Sequence, residues 1–132
     1  MQLDIPEEKC DKGMMPAILS ETKVELDFLM KMQREDGSVW HKVSTFNNAS
    51  FIMPEDDKDE FFLFNVSSLA TADIAAVFAL AYLVYKEYDI AYADLLLQKS
   101  LKAYQWLEEK PEPLLFKNAE GSNTGEYPEL ED

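Results

Sequence analysis

The chain has 132 residues, 47% of them hydrophobic, and a formal charge of −14 from 26 acids against 12 bases. That length fits one domain and the hydrophobic content excludes a disordered polymer, while the acidic balance disfavours a nucleic-acid partner and an anionic membrane. Its one cysteine, Cys10, leaves no internal disulfide and no cysteine-rich zinc site.

Met1 to Met15, with Ile5-Pro6-Glu7-Glu8 and Asp11-Lys12-Gly13, reads as an extended lead-in. Met1–Asp11 is acidic and lacks an apolar core, so no signal peptide is expected within it. Pro16 suits the first position of a helix. Met15, Leu19, Leu26, Leu29 and Met30 follow helical spacing, and Val24 and Phe28 add a second apolar edge. This predicts a helix from Pro16 to about Arg34 that packs on more than one side, closed by the Asp36-Gly37 turn. Ser38–Ser44, SVWHKVS, is β-branched and aromatic and predicts a short strand or extended arm. Thr45–Val66 has no helical period and is expected to be a long loop, functional or disordered. Within it, the acidic run Glu55–Glu60 is expected to be solvated surface, and Phe61-Phe62-Leu63-Phe64 to pin the loop to a core.

Ser67–Tyr88 dominates the pattern. Ile74–Tyr85 is apolar and uncharged, and Ala70, Ala72, Ala75, Ala76, Ala79 and Ala81 favour helix. The run falls short of the roughly 17–25 residues that span a bilayer, so no membrane span is expected. Its apolar side chains point to every side, which demands cover all round. Asp73 reads as a first-turn acid favoured by the helix dipole rather than as a catalytic group. Asp89 is a plausible N-cap for a third helix, with a stripe of Ile90, Ala93, Leu96 or Leu97, Leu101, Tyr104 and Leu107, stopped by Pro111 and Pro113. The short Lys86–Asp89 link makes it an antiparallel partner of the central helix. Leu114–Asp132 is irregular. Three helices cannot enclose one that is apolar all round. Either the chain oligomerises heavily or it is cut from a larger helical domain, and the cut is the simpler reading.

Several short runs, taken in order, carry a resemblance. They are Ile5-Pro6-Glu7, Met15-Pro16-Ala17-Ile18-Leu19, Leu26–Gln33, Asp36-Gly37, Val39-Trp40-His41-Lys42-Val43, Met53-Pro54-Glu55, Ala70–Val77 and Thr124-Gly125-Glu126-Tyr127. Together they resemble glycoside hydrolase family 9, the cellulase family, over nearly the whole chain. The resemblance implies an all-α fold, a partial (α/α)6 barrel of three long helices plus long loops. Residues 1–132 would then form part of one catalytic domain, with no internal boundary.

The implied activity is hydrolysis of β-1,4-glucan bonds with inversion by the whole enzyme. Inversion needs an acid and a base whose carboxyl groups lie roughly 6.5–9.5 Å apart. The family's base sits in an Asp-Ala-Gly-Asp motif and its acid in a late Glu motif. Neither occurs here, so no catalytic residue is assigned and the fragment alone is expected to be inactive. The resemblance assigns His41 to a sugar hydroxyl in the glucan cleft and Thr124 and Gly125 to the start of a calcium loop. The Asp-Glu pair that completes this loop would be expected to follow Asp132, so the calcium site is incomplete. Trp40 is expected to pack rather than to stack on sugar. A β-glucan is the implied partner, secretion the implied location of the whole enzyme, and self-association the expectation for the fragment. The competing reading is a small non-catalytic helical module that oligomerises through its apolar faces.

Overall fold

The computed structural model describes residues 7–10, 13–125 and 129. A hairpin of β1 (Glu7–Cys10) and β2 (Gly13–Pro16) leads into α1 (Ala17–Met32). Pro16 stands one place earlier than expected, at the N-cap, where its φ of −54° aims the chain into the helix. Leu26 and Met32 are buried on the core side, with Leu19, Leu29 and Met30 packed against them. The second apolar edge is bare, since Val24 and Phe28 are exposed.

α1 stops at Met32 because Gln33 turns extended and bridges Val39. Its buried side-chain amide donates to the carbonyls of Gly37 (3.2 Å) and Lys99 (2.9 Å). The Asp36-Gly37 turn forms as expected. Asp36 Oδ1 accepts from Ser38 Oγ at 2.6 Å and from Ser38 N at 3.1 Å, and the hydroxyl bond is the main reason its carboxyl sits below the usual range. Gly37 has a φ of +97°, and a Cβ there would stand 2.3 Å from the Lys102 carbonyl oxygen. Only glycine fits that approach.

The SVWHKVS arm is one side of an antiparallel ribbon. β3 (Val39–Trp40) pairs with β6 (Val66–Ser67), and β4 (Val43–Thr45) with β5 (Phe61–Leu63). Both pairings keep one register, and His41 N to Asn65 O (3.0 Å) and Phe64 N to Lys42 O (2.9 Å) join them. Thr45–Val66 is therefore not loop throughout: its end returns as the partner strand, and Pro54–Asp56 makes a 3-10 turn. The acidic run flanking that turn is almost wholly exposed, as expected. Of the aromatic run only Phe64 is buried; Phe61, Phe62 and Leu63 are exposed, so one phenylalanine pins the segment where three were expected.

α2 (Ser68–Tyr85) is capped by Ser67, whose Oγ accepts from Ala70 N. It buries Thr71, Ile74, Phe78 and Tyr85. α3 (Ile90–Glu109) is capped by Asp89, as expected. Tyr85 meets Tyr92 edge-on beside the link, and Ser100 Oγ donates to Ala75 O further along, so the two helices run antiparallel. A polar seam ties α1 to them: Tyr85 Oη donates to Leu19 O, Tyr92 Oη to Asp27 Oδ1 (2.8 Å), and Lys23 Nζ lies 3.4 Å from Asp89 Oδ2. Burial pushes the Tyr85 phenol up to about 12; burial and Asp27 push Tyr92 higher still.

Two expectations about α2 need correction. Because it starts at Ser68, Asp73 lies in its second turn and is exposed, so the helix dipole does not explain that acid. The helix is also longer than its uncharged run, and its 18 residues are long and apolar enough to cross a bilayer by length and composition. On the side facing α3 and the ribbon, Thr71, Ile74, Phe78 and Tyr85 are buried. The expected cover all round is missing: Leu69, Val77, Leu80, Leu83 and Val84 are exposed.

Candidate functional site

The ribbon, the start of α2 and the segment after α3 converge on His41. The ring stacks on Phe116 with centroids 3.7 Å apart and planes 8° from parallel. Phe116 is itself buried and meets Phe64 edge-on. Leu114 N and O exchange hydrogen bonds with Ser68, which anchors this segment beside the head of α2.

One edge of the imidazole is held. His41 Nδ1 lies 3.1 Å from Glu129 Oε1 and 3.3 Å from Ser67 Oγ. Glu129 Oε1 also accepts from Ser67 Oγ (2.7 Å), and Oε2 accepts from Phe116 N (2.6 Å). The side chain of His41 is 14% exposed and that of Glu129 7%. Among the described residues, Nε2 has no hydrogen-bond partner.

His41 also lines a largely apolar cleft of about 380 Å³ between α1, the ribbon and α2. Phe28, Leu29 and Met32 form one wall, Trp40, Lys42 and Val43 another, and Ala70, Asp73 and Ile74 the third. Trp40 is half-buried against the core, with the Arg34 guanidinium 5.1 Å from its ring centre. It packs on the core, as expected, but it also lines the cleft beside His41, where an opposite face was expected. The chain bends at His41, so neighbouring residues line one cleft instead of alternating strictly.

Thr124 and Gly125 lie beside Lys42. Lys42 Nζ donates to Thr124 Oγ1 (3.1 Å) and to Gly125 O (2.9 Å), and rests 4.5 Å from the centre of the Phe64 ring. Thr124 is buried, its carbonyl accepting from Asn118 Nδ2 and its hydroxyl meeting Ser122 Oγ. A hydroxyl and a carbonyl oxygen suit calcium chemically, but the ion takes six to eight oxygens. Here an ammonium already occupies both. Among the described residues no group of three or more His, Cys, Asp or Glu side chains could hold a metal. These residues alone do not fit the ion.

The comparisons with known proteins decide the wider frame. Residues 3–132 match the model of glycosyl hydrolase family 9. The chain belongs to that family. A cellodextrinase from Butyrivibrio fibrisolvens is 72% identical over 129 residues, covering 98% of this chain and 24% of the relative. Endoglucanase D from Acetivibrio thermocellus is 41% identical over 132 residues, covering 98% and 20%. Among solved structures, AaCel9A in complex with cellobiose-like isofagomine superposes with a TM-score of 0.82 at 35% identity, over 89% of this chain and 22% of that one. The family 9 endoglucanase J30 gives 0.78 at 38%, over 86% and 21%. The chain thus spans about a fifth to a quarter of each of these four proteins. Its three helices are a segment of their (α/α)6 barrel, which accounts for the bare side of α2.

Of the residues singled out in the sequence, His41 and Trp40 meet in one cleft, whereas Thr124 and Gly125 meet Lys42 instead. Sequence reasoning missed Ser67, Phe116 and Glu129 as neighbours of His41. Ser67 could have been found as the N-cap ahead of the alanine-rich run. Glu129 carries no such signal, being one acid in an irregular acidic tail.

Proposed function

We propose that this chain is part of a catalytic domain that hydrolyses β-1,4-glucan bonds with inversion, and that the acid and base lie outside residues 1–132. The observation that carries this is the family match over residues 3–132, with relatives named as a cellodextrinase and endoglucanases. No Asp-Ala-Gly-Asp run occurs in the chain. His41 serves as a substrate-binding residue: its ring is fixed on one edge and one face, and Nε2 is the nitrogen left for a sugar hydroxyl. Because a glucan polymer cannot enter a cell, secretion of the whole enzyme belongs to the same proposal. So does a structural calcium ion, but only with further ligands and with Lys42 withdrawn from Thr124 and Gly125.

The test is His41→Ala in the full-length enzyme. A hydrogen bond to a neutral hydroxyl contributes about 0.5–1.5 kcal/mol, so kcat/KM on cello-oligosaccharides should fall roughly 2- to 13-fold with the melting temperature nearly unchanged. Intact kinetics with a melt many degrees lower would reverse the reading and make His41 a structural residue.

A further inference from the structure

We propose that Glu129 is a positioning residue for His41, fixing which ring nitrogen carries the proton. This rests on the reading of His41 as a sugar-binding residue, and adds what that residue presents to the sugar.

The hydrogen-bond inventory around Glu129 leaves little choice. Ser67 Oγ accepts from Ala70 N at 3.1 Å while capping α2, and sends its own proton to Glu129 Oε1 at 2.7 Å. It has no second proton for His41. A carboxylate oxygen has none either. The contacts of His41 Nδ1 to Glu129 Oε1 (3.1 Å) and Ser67 Oγ (3.3 Å) are therefore both made by an Nδ1–H donor. In the neutral ring that leaves Nε2 with a lone pair and no proton. It accepts a hydrogen bond from a sugar hydroxyl and cannot donate one. Phe116 completes the fixture: stacked at 3.7 Å on the ring, it opposes tilting, while its own N–H is held by Glu129 Oε2 at 2.6 Å. One carboxylate thus sets the proton of the imidazole and seats the ring it stacks on.

In histidine-labelled full-length enzyme, the nitrogen-15 signals that disappear in His41→Ala are those of this ring. On the neutral side of the ring's titration, the expected form carries its proton on Nδ1. Glu129→Leu should shift the population toward the Nε2–H form that an unconstrained imidazole prefers, whereas Glu129→Gln, which keeps an acceptor oxygen, should largely retain Nδ1–H. A neutral wild-type ring protonated on Nε2, or a Glu129→Leu ring unchanged from wild type, overturns the proposal. If Glu129→Leu fails to fold, the wild-type spectrum decides by itself.

In the full-length enzyme, Glu129→Leu should raise KM roughly 2- to 13-fold. It should add little to His41→Ala in the double variant, since both act through one ring. If the proton shifts as expected but His41→Ala leaves KM unmoved, the sugar-binding role fails while the positioning of the ring stands.

Discussion

Lys42 shows how a single side chain can tie two distant segments together. Its ammonium ties Thr124 and Gly125 to the ribbon through two hydrogen bonds while its shaft covers the Phe64 ring. Lys42→Met keeps most of the shaft and removes both bonds. Bonds to a charged donor contribute about 1.5–3 kcal/mol, so the variant should lose about 2–3 kcal/mol in denaturant titrations. While Lys42 holds these oxygens, the wild-type melt should be the same in calcium and in chelator. A calcium-dependent rise in the wild type would show that the ion displaces the lysine. At this scale the sequence was legible where a residue type and its short-range context carry the meaning, as at Asp89 and Gly37. Lys42 and Glu129 were not legible, because their partners lie across the fold and no spacing encodes them.

The elements were legible in proportion to their periodicity. α2 and α3 were evident from alanine content and helical periodicity, and Asp89 and the short link fixed their antiparallel pairing. The expected α3 stripe, however, is not the buried face: Ile90, Leu101 and Tyr104 are exposed, and Tyr92, Ala93, Leu96, Ser100, Ala103 and Trp106 are buried. The ribbon was only half visible: VWHKV reads as strand by itself, but its partner FLFNV follows a long irregular stretch, and register is a long-range property. Two predictions belong here. Gly37→Ala should cost more than 2 kcal/mol, because it adds a strained φ to a clash with the Lys102 backbone; a loss below about 0.5 kcal/mol would refute that close approach. The second concerns the tyrosine seam. Tyr85 ionises near 10 when unfolded and at about 12 when folded. Above pH 10 the unfolded chain sheds that proton first, so stability is fully present below pH 10 and is lost as pH rises toward 12. Tyr92 extends the loss further. Denaturation midpoints taken from pH 9 upward should fall, and Tyr85→Phe should fall less steeply. Parallel slopes would refute the contribution of this phenol.

For the whole molecule, the uncovered faces decide behaviour. A second groove of about 520 Å³ runs between α2 and α3, lined by Ala72, Ala76, Ala79, Leu101 and Tyr104. Leu80, 65% exposed, crowns the neighbouring apolar face. Leaving about 400 Å² of such surface wet forgoes roughly 10 kcal/mol at about 25 cal/mol per Å². The isolated 132-residue chain should therefore sediment as oligomers or aggregates and bind hydrophobic dyes despite its charge of −14. A monomer at tens of micromolar with a cooperative melt would contradict this. The same chain should not hydrolyse carboxymethylcellulose above a mock preparation. That α2 lacks neighbours was legible from its all-round apolar character, but that those neighbours belong to a barrel came only from the family resemblance.

The link between His41 and Glu129 also imposes an order on synthesis. The two residues are far apart along the polypeptide but adjacent in space. At ribosomal speeds of about 5–20 residues per second, the histidine waits on the order of ten seconds for its carboxylate to emerge. Through that interval α1, the ribbon and both later helices can assemble around a loose imidazole. The hold on His41 is therefore completed from the C-terminal side, and a nascent chain stalled before residue 129 would display the helices and the Phe116 stack without the Glu129 contact.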